Sequence, residues 1–248
     1  MAKVKNILYA IIVIHVVWFL LALGLHWDIL PGPIAVYTYM PHLLKLNIGM
    51  HIYASLYRIF WGLGISIVVG VIIGIMIVRL PKFGALVDPI IYFLYPIPKV
   101  ALLPVLMLLF GLGEFSKIGM LIVAVVFQVI VSVRDQVKQV SSSLYHTLTV
   151  LNANHWEIFR YVTWPASLSG VISAVRIALG SSFAILFFTE VYGTEVGLGY
   201  FIMDEWMKMD YLAMYAGIIV ISIVAFLMFM ILSLLDDHFN RWRETANQ

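Results

Sequence analysis

Few residues in this chain can do chemistry, and those few are cations and carboxylates set among long apolar runs. Lys99 stands in Pro96-Ile97-Pro98-Lys99, beside two prolines that break any helix running through them. A charge inside an apolar run is costly. It marks either a solute pathway, where an anion would be drawn to it, or a side chain that snorkels or pairs with a carboxylate. Arg176 lies roughly two turns into a later run, and Glu190 and Glu195 lie near that run's far end, where a gate or a docking face is conceivable. Gly193, Gly197 and Gly199 follow in a turn that glycine permits. Enzymatic chemistry has no residues to work with: we expect no catalytic residue, bound metal or cofactor in this chain. A phosphate-cradling loop needs Gly-Lys-Ser/Thr, and no Gly-Lys occurs. With no cysteine, thiolate sites are absent, and the seven histidines are scattered rather than spaced as ligands. His15, inside the first apolar run, reads as a packed histidine sharing a hydrogen bond with a neighbouring helix.

The elements that must position these groups are membrane spans. Hydrophobic residues make up 63% and charged residues 11% of 248, with a mean hydropathy of +1.02, far from soluble composition. The net charge of +2 gives no reason to expect nucleic acid as a partner. Apolar runs cover residues 7–25, 59–78, 86–110, 118–133, 168–188 and 212–235, so an all-α integral membrane protein of about six transmembrane helices in a single domain, 1–248, is expected. Ala22 and Gly24 imitate a signal-peptide cleavage site, but the first run is long enough to span. The third run is interrupted by Pro96, Pro98 and Pro104 and reads as a broken helix; unwound backbone there must be covered by protein or face a watery cavity. Gly170, Ser173, Ala174, Ala178, Gly180, Ser181, Ser182 and Ala184 make the fifth run a candidate for close helix packing or pore lining. The stretch 198–209 reads as an interfacial helix on the outer side.

The Lys/Arg distribution orients the spans. With the N-terminus in the cytoplasm, Lys3, Lys5, Arg79, Lys82, Arg134, Lys138, Arg160, Arg241 and Arg243 fall inside, leaving Lys45, Arg58, Lys117 and Lys208 near the outer side. Both termini are then cytoplasmic. A polar island between the fourth and fifth runs is cytoplasmic as well. In it, Ser141, Ser142 and Ser143 can cap a helix over 144–151, which Asn152 would end in a left-handed conformation. A second piece, 154–162, places Trp156 and Phe159 on one side and Glu157 and Arg160 on another, and Pro165 begins the next span. This helix–turn–helix is either a docking element or an interfacial loop whose aromatics sit at headgroup depth.

The island resembles the cytoplasmic signature of ATP-binding-cassette importer permeases, E-A-A, three residues, G, nine residues, I, any residue, L, P. Its slots fall on His146-Thr147-Leu148, Asn152 and Val162-Thr163-Trp164-Pro165, so spacing is kept while several identities are not. Two further segments are similar to the nitrate, sulfonate, taurine and bicarbonate branch: Pro96 to Pro104 followed by Phe110 to Lys117, and Glu190 to Tyr200. The resemblance covers about 58–242 and implies a type I importer permease fold, with a coupling helix at about 143–165 between the fourth and fifth spans. It implies two membrane subunits, usually identical, two cytoplasmic ATPases that bind ATP and magnesium, and an extracytoplasmic solute-binding protein, in the cell inner membrane among lipid. His146, Leu151, Asn152, Ala153, Trp156, Glu157, Phe159, Arg160 and Pro165 would face the ATPase, with Glu157 and Arg160 carrying more of the polar contact where His146 replaces the usual Glu. Lys99, Pro98, Ser181, Glu190 and Gly193 are the candidates for the translocation pathway or gate. The branch favours a small oxyanion or sulfonate, although related permeases also serve vitamin precursors.

Two other classes set useful contrasts. A self-contained secondary transporter would show internal repeats or mid-span carboxylates, and neither is evident. A redox membrane anchor would favour paired intramembrane histidines, and His15 has no equally central partner.

Overall fold

The computed structural model describes residues 2–25 and 28–239, and the chain divides into two compact units, 1–55 with 194–224 and 56–193 with 225–248. Most of the polar C-terminal tail, with Arg241 and Arg243, lies outside the described residues. The described fold is all-helical. Among the described residues four helices are long and apolar enough to cross a membrane, α3 (Ile48–Arg79), α6 (Glu114–Lys138), the stretch His155–Val191 and α11 within Tyr211–Leu234. A fifth crossing exists if α4 (Pro81–Leu94) and the segment Lys99–Phe110, bent by 93° at their junction, count as one broken span. α1 (Ala2–Leu25) carries the apolar stretch Tyr9–Leu25.

In the first unit, α1, α2 (Pro33–Tyr39), a single turn Met40–Leu44, the start of α3, α10 (Leu198–Met207) and the start of α11 (Tyr211–Phe239) enclose Val36, Leu43, Leu198 and Phe201. His15 bonds the Tyr37 hydroxyl and the Ile11 carbonyl, as a packed histidine should. The Ser55 hydroxyl accepts from Leu198 N at 2.8 Å and satisfies one of the free N–H groups opening α10. On α10, Asp204 and Glu205 flank Lys208, and their carboxylates hold its ammonium well above the usual lysine range.

The second unit is built on α6. Its residues Leu121, Val125, Val129, Val133 and Val137 recur every fourth position, forming one ridge along the helix. That ridge packs against Ala174, Ala178, Leu179 and Leu186 of α9 (Trp164–Val191). α3 approaches α6 so closely at Gly70 that a Cβ there would lie 2.6 Å from Val129 Cβ; only glycine fits. Between α4 and α6 stand a turn, Lys99–Leu102, and α5 (Leu103–Phe110). α7 (Ser142–Val150) and α8 (His155–Ile158) follow α6.

Two boundaries differ from the sequence reading. The second span begins eleven residues earlier, at Ile48 rather than 59, because the polar residues of its first turns are spent on partners inside the protein. The second piece of the island does not stop at 162 as a helix separate from the next span. α8 runs through a wider π turn, Phe159–Thr163, directly into α9, so Pro165 lies just past the π turn in a helix already under way, where its missing N–H removes one backbone bond. Arg58 and Lys117, which the sequence reading placed near the outer side, are buried inside the protein, at 1% and 0% exposure.

Candidate functional site

Three constellations in the second unit hold the candidate residues, apart from a separate ion-pair cluster of Asp88, Arg134, Asp135 and Lys138. The first is the island. Ser141 caps α7 by accepting from Ser143 N at 3.2 Å. The helix ends as Asn152 predicted: Asn152 has φ 62°, its N–H reaches Thr149 O at 3.0 Å, and Ala153 N reaches Leu148 O at 2.9 Å. That pair of bonds satisfies two orphan carbonyls at a helix end. Asn154 then opens α8 in a reciprocal cap, its side chain accepting from Glu157 N at 2.9 Å while its own N–H donates to Glu157 Oε2 at 2.7 Å. Glu157 is therefore committed to the turn, an arrangement worth about 1 kcal/mol. Arg160 is exposed and makes no ion pair among the described residues; His146 is exposed as well.

The island is fixed to the spans by a residue that sequence reasoning counted only as a positive charge. Arg79, closing α3, donates to Thr163 Oγ1 at 2.5 Å and lays its guanidinium 4.5 Å from the centre of the Tyr145 ring. It thus holds α7 and the π turn together, through a charge-assisted bond and a cation–π contact. Trp156 stacks on Phe159 at 5.4 Å, and Phe159 approaches Trp164 at 6.1 Å. Leu144, Val150, Leu151, Trp156 and Tyr161 remain exposed on this pinned element, Val150 at 85%.

The second constellation is the helix break. The Leu94 carbonyl, near the end of α4, would normally receive the N–H of residue 98, but that residue is proline and has none. Ile97 N reaches the Leu94 carbonyl instead, at 3.3 Å, and Lys99 adds a charged donor: its Nζ donates to Leu94 O at 3.0 Å and also to Tyr95 O. A cation at a helix C-terminus is favoured by the helix dipole as well. The ammonium lies 5.6 Å from the Tyr95 ring and 5.3 Å from the Phe127 ring, and no carboxylate pairs with it among the described residues. It opens onto a cavity of about 250 Å³ lined also by Val100, Ala124, Gln128, Ser181 and Ile185. Lys99, Pro98 and Ser181, named separately from the sequence, therefore fall at one place: Pro98 starts the turn that carries Lys99, and Ser181 lines the cavity's wall. Gln128 was not singled out.

The third constellation takes the remaining two candidates elsewhere. Glu190 is wholly buried, bound at 2.7 Å by Arg58 Nη1. Arg58 grips Glu114 with its other edge, Nε to Oε2 at 2.8 Å and Nη2 to Oε1 at 2.6 Å, a bidentate fork. Lys117 donates to Leu112 O at 2.5 Å, Gly113 O at 3.2 Å and Gly193 O at 2.9 Å. Gly193 has φ 64° and lies against Leu112, where a Cβ would come within 2.8 Å; it must be glycine. Two cations and two carboxylates so tie α3, the turn before α6 and the end of α9. Burial takes Glu190 out of reach of any docking protein. Arg58 was missed because the sequence reading started its span one residue later; an arginine at the mouth of an apolar run, with Glu114 and Glu190 each at the end of another, is the signal that could have found it. Arg176 is half-buried in α9. Among the described residues no group of His, Asp and Glu is arranged to hold a metal ion.

Residues 66–245 match the family described as the binding-protein-dependent transport system inner membrane component. The chain is similar to the taurine transport system permease protein of Escherichia coli, 31% identical over 80% of this chain and 72% of that protein. It is similar to the nitrate import permease protein of Synechocystis, 27% identical over 95% and 89% of the two chains. Its fold is shared with the inward-facing MetNI methionine ABC transporter, with a TM-score of 0.66 at 19% identity over 77% of this chain and 95% of that one.

Proposed function

The chain belongs to the family of binding-protein-dependent transport-system inner-membrane components, and from that premise we propose that it forms the translocation pathway of an ATP-driven importer for a small anionic solute. A separate cytoplasmic ATP-binding-cassette subunit binds and hydrolyses Mg-ATP, a second copy of this chain completes the pathway, and an extracytoplasmic binding protein delivers the solute. α1 acts as a sixth span beside the five crossings, both termini are cytoplasmic, and the whole chain works as one permease domain. The anionic character of the solute is supported by the nitrate relative, and the taurine relative, whose solute is a zwitterion, supports a sulfonate oxyanion group.

The observation that carries this reading is the pinned, apolar-faced island. Leu151, Trp156 and Tyr161 lie exposed on an element that Arg79 ties to α3 and that continues without a break into α9. A push on that surface is delivered directly to two spans. Closure of an ATPase dimer would drive two such elements together and rock the permease halves from inward-facing to outward-facing. His146, Asn152, Ala153, Phe159 and Pro165 shape this element, while Arg160 is its exposed charge. Lys99, Pro98 and Ser181 face the pathway, and Glu190 with Gly193 belongs to its gate.

Copurification tests the reading. The chain expressed with its cognate ATPase subunit should bring the ATPase through detergent purification, and Trp156→Ala combined with Leu151→Asp should abolish this without lowering the chain's own yield. Retention of ATPase by the double variant would contradict the assignment of the docking surface; solute uptake driven by the chain alone, or haem absorbance, would contradict the function.

A further inference from the structure

We propose that the cavity at the helix break is an oxyanion-binding station, in which Lys99, Gln128 and Ser181 let the permease itself select its solute by charge. The inference rests on the permease reading above and adds the ligand class and the side chains that recognise it.

The wall of the cavity is mostly apolar, from Tyr95, Val100, Ala124, Phe127 and Ile185, with a few convergent polar groups, the usual composition of a small-ligand site. Lys99 brings a full positive charge. An ammonium has three N–H donors, and Leu94 O and Tyr95 O take two, leaving one. Carbonyl dipoles and two ring faces hold that charge in place without cancelling it. In an apolar surround an anion would feel it strongly.

Gln128 supplies the second group. Among the described residues its side chain makes no hydrogen bond, and its Oε1 is buried without a partner. An amide oxygen only accepts, so it would repel an anion as it stands; a half-turn of the carboxamide, opposed by no hydrogen bond among the described residues, would put the N–H donors of Nε2 in its place. Ser181 is the third: its hydroxyl donates to Ala178 O at 3.0 Å, a local bond that can be exchanged for a charged acceptor. At about 250 Å³ the space suits a solute of a few heavy atoms. The combination selects a small, singly charged oxyanion, such as a short sulfonate, a carboxylate, nitrate or bicarbonate. Lys117, with all three donors on backbone carbonyls, offers nothing comparable.

The test uses the full-length chain purified with its ATPase, titrated with methanesulfonate and with dimethyl sulfone, a neutral molecule of similar shape, at constant ionic strength. Heat of binding and the shift of the melting midpoint are both read. Methanesulfonate should bind and dimethyl sulfone should not. Lys99→Gln should weaken methanesulfonate about tenfold or more and Lys99→Arg should restore part of it, while Gln128→Leu and Ser181→Ala should each cost several-fold, about 3 to 10. Equal binding of both probes, or unchanged affinity in Lys99→Gln, would overturn the proposal. If Lys99→Gln does not fold, unchanged affinity in both Gln128→Leu and Ser181→Ala overturns it instead. Normal ATPase assembly without anion binding rejects the station and leaves the permease standing, whereas failure to assemble rejects the permease reading itself.

Discussion

Lys99 and Lys117 are built alike and used differently. Each folds back from near the start of a helix onto backbone carbonyls four and five residues before it. Lys117 then reaches a third carbonyl across the structure, on Gly193, and sits with Arg58, Glu114 and Glu190 in a cluster whose formal charges cancel. Lys99 stops at two carbonyls, has no carboxylate partner among the described residues and borders a cavity. Where every donor is spent, the charge serves to hold three segments in place. Where one donor remains and no counter-charge is provided, the charge is left for something that arrives.

The largest effect that would break this contrast comes from the buried cluster. Arg58→Ala leaves Glu190 buried without its guanidinium and should cost about 3–5 kcal/mol, read as a loss of folded yield or a large fall in melting temperature. A near-normal melting temperature would mean that water already reaches Glu190 and that the cluster is not a staple. Next, Gly193→Ala places a Cβ against Leu112 at a positive φ and should destabilise by about 1–3 kcal/mol, read as a fall in melting temperature. An unchanged melting temperature would show that the two turns can separate without cost. Lys99→Gln should come third in stability, about 1 kcal/mol for the lost charge-assisted bonds to the end of α4, yet first in solute uptake. The smallest stability effect is expected for Arg79→Lys, which keeps the charge but loses the planar stack on Tyr145, about 0.5–1 kcal/mol. Its signature is functional: ATP hydrolysis by the assembled transporter should continue while uptake falls.

Much of the fold was legible in the sequence because lipid imposes a simple rule, that apolar runs of span length become helices. The break at Pro96 and Pro98 and the left-handed end at Asn152 were legible for the same reason, since each follows from one residue's backbone chemistry. A charge beside the proline break and a run of small residues in the fifth span put Lys99 and Ser181 among the pathway candidates, and they line one cavity. What remained hidden depends on partners distant in sequence. Arg58 looks like a boundary charge until Glu190, 132 residues away, is seen beside it. Arg79 looks like an inside marker until Thr163 and Tyr145 close around it. Gln128 looks like one polar residue on a buried helix, and only the cavity reveals that its amide is unspent. Glu157, read as a charge for a partner, is already held by Asn154.

The contrast between the two lysines can be decided by melting curves of the wild-type chain, Lys117→Met and Lys99→Gln, each with and without methanesulfonate. The account predicts that Lys117→Met melts far lower, and that Lys99→Gln melts close to wild type while the anion no longer raises its midpoint. Equal loss of stability in both variants, or an undiminished anion shift in Lys99→Gln, would contradict it.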